Sequence, residues 1–141
     1  SYLLNGDWNI SNLQYETQID IPILGSQTIS GEANDAGYWY FQFPAFTCSN
    51  SLNFVTEGID IFGQTLPGFP IDITSEGTWG LTNNDNNLLI TDQATGVVSD
   101  YQILSLQENI CFLNGTIPFV IDTLGLTINS EIDVELQLVR Q

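Results

Sequence analysis

The chain has 141 residues and a mass of 15.6 kDa, which is the size of one domain. It carries 17 Asp and Glu residues against a single Lys or Arg, contains no His, and has a formal net charge of −16. This scarcity of cations argues against nucleic acid or an anionic membrane surface as a partner, because both are bound through clustered Lys and Arg. Without His there is no imidazole base, no Ser–His or Cys–His nucleophile pair and no His-ligated zinc. No segment approaches the ~20 apolar residues of a transmembrane helix.

Short alternating apolar segments, separated by Gly, Asn, Asp, Ser and Pro, predict β-strands along the whole chain. In chain order the predicted strands are Gly6–Tyr15, Thr17–Leu24, Gly37–Phe43, Ser51–Phe62, Phe69–Ser75, Gly77–Thr82, Leu88–Thr91, Tyr101–Leu106, Ile110–Asn114 and Ile132–Arg140. The glycines and prolines of Gly63–Pro70 predict a loop, and Asn83–Asn87 predicts a turn because Asn and Asp tolerate left-handed backbone. About eight to ten short strands indicate one all-β domain over residues 1–141, an antiparallel sandwich or barrel.

Several segments, in their order along the chain, resemble a known family. They are Gly6-Asp7-Trp8 on the first strand, Gly77-Thr78-Trp79 followed by Leu88-Leu89-Ile90, Tyr101–Leu106, and a last strand that ends in Arg140. Together they resemble the lipocalin-like domains of secreted bacterial proteins, within the calycin group. The resemblance implies a single antiparallel up-and-down β-barrel, with Trp8 at its closed end and Arg140 packed across it. The helix that precedes the last lipocalin strand is not evident, since Gly115–Asn129 is predicted as loop or strand, and Gly25–Gly37 has no clear counterpart.

The last strand also makes a prediction of its own about barrel closure. Arg140 shares a face with four apolar residues, and a buried guanidinium without partners is costly. The residues of that face are Ile132, Val134, Leu136, Leu138 and Arg140. We therefore expect Arg140 to stack on Trp8 of the Gly6-Asp7-Trp8 motif and to donate to carbonyls near Tyr2–Gly6. The alternative is a frayed, solvated C terminus.

Seven aromatic side chains are candidates to line an apolar ligand cavity, since an eight-stranded barrel has room for one small ligand. They are Trp39, Phe41, Phe43, Phe54, Trp79, Tyr101 and Phe112. The alternative is that these rings simply fill the barrel. The expected function is non-enzymatic binding of a small apolar or amphipathic ligand, without a cofactor. The rival is a structural or interaction module at the cell surface, with a filled barrel and self-association or partner binding through its edges.

The carboxylates are numerous, but no motif fixes their spacing, so no catalytic pair is predicted. The oxygen-rich segment Asn83–Asn87, with Asp92 nearby, offers ligands suited to Ca²⁺. It does not match an EF-hand, and a plain hairpin turn is the preferred interpretation, so no metal site is predicted.

Cys48 and Cys111 belong to no C-x-x-C pair, which argues against a zinc or redox motif. They are expected to form one disulfide between adjacent strands if the protein is exported, or otherwise to remain two buried thiols. The chain begins at Ser1 without Met, which is compatible with a removed signal peptide. We expect an exported protein, extracellular or associated with the cell surface.

Overall fold

Eight strands of the protein form a closed antiparallel barrel in which sequential strands are neighbours. The computed structural model describes residues 3–21, 25–61, 63–123 and 126–141. The barrel strands are β1 (Gly6–Ile21), β2 (Gly25–Gln42), β3 (Thr47–Val55), β6 (Pro70–Thr82), β7 (Asn87–Asp92), β8 (Val98–Leu106), β9 (Ile110–Thr123) and β10 (Leu126–Arg140). A short hairpin of β4 (Ile59–Ile61) and β5 (Gln64–Leu66) is inserted between β3 and β6. The expected all-β, up-and-down antiparallel barrel is confirmed.

The strand bounds differ from the predicted ones mainly by fusion. The first two predicted strands are one strand, β1, and residues 22–24 lie outside the described part of the chain. Phe69–Ser75 and Gly77–Thr82 likewise fall almost wholly within β6. The segment predicted as a loop, Gly63–Pro70, includes β5, which pairs with β4. The turn at Asn83–Asn87 is confirmed, with positive φ at three consecutive residues from Asn83 to Asp85.

A β-bulge lies within the first predicted strand, Gly6–Tyr15, and changes which side chains of β1 face inward. The pairing of β1 with both of its neighbours shifts between Ile10 and Asn12. Before the bulge the even-numbered Trp8 and Ile10 are buried, and after it the odd-numbered Leu13 and Tyr15 are buried. One extra residue exchanges the inward and outward faces of a strand, so a single alternating pattern cannot span it.

The two ends of the barrel are built differently. The closed end comprises Leu3–Asn5, the β2–β3, β6–β7 and β8–β9 turns, and the end of β10 at Arg140. The opposite end comprises the β3–β6 connection and the β7–β8 loop, Gln93–Val97. Between them the inward faces form one hydrophobic core that runs through the barrel.

Pairing between β8 and β9 covers only part of their length. The described pairs run from Leu106–Cys111 at the closed end to Gln102–Asn114 near the middle. Beyond that point β8 continues to pair with β7, and β9 with β10, so the two strands part toward the opposite end. This separation gives the barrel interior a side opening.

Candidate functional site

The closed end is stabilised by Arg140, whose guanidinium carbon lies 4.2 Å from the centroid of the Trp8 ring. Trp8 and Arg140 face each other in the β1–β10 pairing. The Arg140 Nε donates to the Glu108 carbonyl at 2.6 Å, Nη1 donates to Asn5 O at 2.7 Å, and Nη2 donates to Leu3 O. The predicted stacking and the predicted carbonyl acceptors are both confirmed.

Gly6 and Trp8 complete this arrangement. Gly6 has a φ of +126°, and a Cβ at this position would lie 2.4 Å from Nη1 of Arg140. The Trp8 indole Nε1 donates to the Leu4 carbonyl at 2.9 Å. The G-x-W motif therefore leaves space for the guanidinium and supplies the ring on which it lies.

The middle of the barrel holds a cavity of about 260 Å³ that reaches the side opening between β8 and β9. Ten of its lining residues are apolar or aromatic: Ile10, Trp39, Leu52, Ile73, Ile90, Val97, Tyr101, Ile117, Pro118 and Leu136. Five are polar: Asn50, Ser75, Asp92, Thr95 and Ser99. Other depressions of about 300, 320, 400 and 530 Å³ are larger, but all of them are more open to solvent and lined mostly by polar residues. The mid-barrel cavity is therefore the better candidate for an apolar ligand.

Of the seven aromatic candidates, only Trp39 and Tyr101 line this cavity. Their rings meet edge to face, with centroids 5.2 Å apart and an interplanar angle of 83°. Gly115 on β9 makes room for Tyr101, because a Cβ there would lie 2.5 Å from the Tyr101 ring. Burial raises the pKa of the Tyr101 hydroxyl to about 12, so it remains protonated at neutral pH.

Three of the other candidates pack at the closed end, so the expectation that they line the cavity is wrong. Phe41 stacks on Trp39 at 5.4 Å and meets Trp79 at 5.6 Å. The Trp79 indole donates to the Gln42 carbonyl at 3.1 Å. Phe43 lies 5.2 Å from Phe46. Phe41 and Trp79 therefore fill the barrel, as the alternative states, whereas Phe43 is partly buried and packs against the core from the β2–β3 turn.

The remaining two candidates also lie away from the cavity. Phe54 packs on Tyr15, with ring centroids 5.1 Å apart, toward the opposite end. Phe112 lies on the outer face of β9, since its neighbours Cys111 and Leu113 are the fully buried residues. The segment around Phe112 is apolar at four successive positions, so its sequence has no alternation that identifies the inward face.

Two polar atoms of the cavity-lining residues are buried without a hydrogen-bond partner: Nε1 of Trp39 and Oδ1 of Asn50. The two residues face each other in the β2–β3 pairing. Burial raises the pKa of the Cys48 thiol, and the nearby Trp39 side chain offsets only part of that rise. Most buried polar atoms in proteins have a hydrogen-bond partner. Stability alone therefore does not account for the two unpartnered atoms in this wall.

Asp92 stands at the mouth of the cavity, at the end of β7, on the same inward face as Leu88 and Ile90. Its Oδ2 accepts a hydrogen bond from Ser75 Oγ at 2.8 Å. Its Oδ1 accepts from the backbone N–H groups of Ala94 and Thr95, at 2.8 and 2.9 Å. The bond from Thr95 and then that from Ser75 lower the pKa of Asp92, so the carboxylate is ionised at neutral pH.

Asp92 was not among the predicted site residues, and the sequence connects it only with a Ca²⁺ site at Asn83–Asn87. That connection is wrong, because the turn lies at the closed end and Asp92 at the far end of β7. Strand parity is the signal that places Asp92 inward: Leu88 and Ile90 precede it at steps of two. Among the described residues no group of three metal-ligating side chains comes together.

Cys48 and Cys111 are both buried and free. Cys48 lies on β3, which pairs with β2 and β6, whereas Cys111 lies on β9, which pairs with β8 and β10. The expectation of a disulfide between adjacent strands is therefore wrong, because the strand order separates the two cysteines across the barrel. Burial raises the pKa of Cys48 to about 11 and that of Cys111 to about 12, which keeps both thiols protonated and unreactive at neutral pH.

Comparison with protein-family models, with curated proteins and with solved structures gives no match to this chain. The closed antiparallel barrel of eight strands is consistent with a calycin-like fold. In the described part of the chain no helix is long and apolar enough to cross a membrane.

Proposed function

We propose that this protein is a lipocalin-like, non-enzymatic binding protein that holds one small apolar or amphipathic molecule inside its barrel. The observation that carries the proposal is the cavity of about 260 Å³, which has apolar walls, a polar mouth and a side opening. By comparison with an apolar cavity of about 150 Å³ that holds benzene, this volume suits a ligand of about ten non-hydrogen atoms. The two unpartnered polar atoms in its wall support a site shaped for binding.

Native mass spectrometry of the purified protein tests the proposal, in combination with a titration with tert-butylbenzene as a neutral probe. We expect one bound probe per chain, and we expect Ile73→Trp to abolish binding by filling the cavity. Val120→Trp is the matched control, since Val120 is 58% exposed and does not line the cavity. A wild-type protein that binds no probe, or an Ile73→Trp variant that binds as well as the control, would contradict the proposal.

The second candidate is the structural module that associates through its edges. The observation that favours it is a strand edge without a described partner. β3 pairs only with Gly37–Gln42 of β2, so the segment Gly25–Ala36 has no described neighbour on the edge that faces away from β1. Exposed acidic residues on this edge, Glu32 and Asp35, disfavour pairing with a second copy. A ladder of oligomers in the native mass spectrum would support this candidate and count against a purely monomeric binder.

Export to the cell surface or the medium stays a prediction and belongs to the same proposal. Fractionation of cells that express the full natural gene, followed by detection of the protein in each fraction, checks it. We expect the protein outside the cytoplasm, and its retention there would contradict the prediction.

A further inference from the structure

The mouth of the cavity carries a fixed negative charge. Among the described residues that line the cavity, Asp92 is the only Asp or Glu. Three hydrogen bonds hold its carboxylate in place, and two of their donors, Ser75 and Thr95, are themselves cavity-lining residues. A ligand in the cavity therefore lies near a carboxylate whose position is already determined.

Behind this carboxylate, two aromatic side chains form part of the wall. Trp39 and Tyr101 are 2% and 5% exposed, and their edge-to-face contact holds each ring in place. Aromatic faces attract cations as well as apolar groups, because the ring faces are negative, and Trp is the most effective of the aromatic residues in this respect. Aromatic walls near a carboxylate are a combination that favours organic cations.

The charge distribution of the rest of the chain also favours a cationic ligand. With a net charge of −16, the protein attracts cations to its surface and repels anions. Its one cationic side chain, Arg140, lies at the closed end and is held there by three carbonyl oxygens and Trp8. The cavity therefore has no cationic side chain that would pair with an anionic ligand.

We propose that the cavity takes an amphipathic organic cation, with its ammonium group beside Asp92 at the mouth and its apolar body against Trp39 and Tyr101. This inference rests on the proposed function and specifies the ligand class of the same site. A bare metal ion does not fit, because Ca²⁺ takes six to eight oxygen ligands and the cavity supplies one carboxylate among mostly apolar walls.

Three probes of nearly the same shape test the charge preference: phenyltrimethylammonium (positive), tert-butylbenzene (neutral) and benzenesulfonate (negative). Dissociation constants are measured by chemical-shift titration at low ionic strength. We expect phenyltrimethylammonium to bind at least about tenfold more tightly than benzenesulfonate, a difference that decreases as salt screens the charges. The neutral probe reports on the cavity itself, independently of charge.

The Asp92→Asn variant assigns the preference to one residue. Asparagine retains an oxygen for the N–H groups of Ala94 and Thr95 and can donate to Ser75, so the loop can keep its shape. We expect this variant to bind the cation about tenfold more weakly and the neutral probe within about twofold of wild type. Asp72→Asn is the matched control: it removes the same charge from an exposed position on the outer face of β6 and leaves all three affinities nearly unchanged.

The other outcomes of these titrations contradict different parts of the account. Equal binding of the cation and the anion, or equal weakening of all three probes by Asp92→Asn, overturns the inference and leaves the proposed function standing if tert-butylbenzene binds. An Asp72→Asn effect as large as that of Asp92→Asn attributes the preference to net charge and overturns the role of Asp92. No binding of any probe overturns both the inference and the proposed function.

Discussion

The closed end and the mid-barrel cavity of the same barrel differ in whether their polar side chains have hydrogen-bond partners. At the closed end the Arg140 guanidinium lies on Trp8 and donates to three carbonyl oxygens, and the Trp8 indole donates to Leu4. Within the cavity wall, Trp39 Nε1 and Asn50 Oδ1 are buried with no hydrogen-bond partner. The two regions share the same strands, so the difference lies in the side chains and not in the fold.

This contrast separates a region that stabilises the fold from the region proposed to bind a ligand. A hydrogen bond to a charged group contributes about 1.5–3 kcal/mol, whereas a buried polar atom left without a partner costs about 1–3 kcal/mol. The closed end should therefore lose stability when its polar side chains are removed. The cavity wall should gain stability when its polar side chains become apolar, and should lose binding in the process.

The largest expected effect is that of Arg140→Ala at the closed end. The variant loses the stacking on Trp8 and the hydrogen bonds to Leu3, Asn5 and Glu108. We expect the free energy of unfolding to fall by about 2–3 kcal/mol, measured by urea denaturation. Arg140→Lys keeps the charge without the planar fork and should recover only part of this loss. A loss below about 0.5 kcal/mol for Arg140→Ala would mean that the closed end behaves as ordinary surface.

The next effect is that of Gly6→Ala, which tests the space reserved for Arg140. The added Cβ would lie 2.4 Å from Nη1 at a backbone φ of +126°, so we expect a loss of about 1–3 kcal/mol in the free energy of unfolding. Gly80→Ala is the control, since a Cβ there meets nothing within 4 Å. Equal stability of the two variants would contradict this account of the G-x-W glycine.

A pair of matched substitutions tests the contrast by the sign of its effect. Asn50→Leu removes a buried oxygen that has no partner, and we expect it to raise the free energy of unfolding by about 1 kcal/mol. Asn5→Leu removes an oxygen that accepts a hydrogen bond from the Phe43 N–H at 3.0 Å, and we expect a loss of about 1 kcal/mol. Thermal and urea denaturation measure both changes, and effects of the same sign would remove the distinction between the two regions.

The smallest expected effect is the pH dependence at the mouth of the cavity. Hydrogen bonds from Thr95 and Ser75 lower the pKa of Asp92 in the folded protein. The ionised carboxylate therefore stabilises the fold at pH values above the pKa that Asp92 has in the unfolded chain. This stabilisation is lost as the pH falls through the lower pKa that Asp92 has in the folded protein. We expect the difference in unfolding free energy between wild type and Asp92→Asn to shrink on acidification from about pH 5 to about pH 2. A difference independent of pH over this range would contradict the assignment.

The fold and the closed end were predictable from the sequence because their signals are local and periodic. The last strand alternates strictly, so its apolar face and the position of Arg140 on it can be read directly, and the need of a buried guanidinium for partners points to Trp8. The bulge after Ile10 and the inward position of Asp92 depend on how strands pair, which a single sequence does not display.

The cavity was only partly predictable, for a different physical reason. Aromatic residues identify an interior, but whether a ring fills space or borders it depends on the depth at which each strand places it. Trp39 and Phe41 are two positions apart on β2, yet one lines the cavity and the other packs against Trp79. Pairing registers from all eight strands set that depth, so only the assembled barrel distinguishes the two roles.

The indole N–H groups of the three tryptophans test the central contrast most directly. In a ¹H–¹⁵N correlation spectrum, each gives one cross-peak, which single Trp→Phe variants assign to Trp8, Trp39 and Trp79. Trp8 and Trp79 donate to carbonyl oxygens, whereas Trp39 has no partner and belongs to the cavity wall. We predict that saturating tert-butylbenzene shifts the Trp39 cross-peak and leaves the Trp8 and Trp79 cross-peaks in place. Unchanged positions for all three, or a shift of Trp8 as large as that of Trp39, would contradict the account.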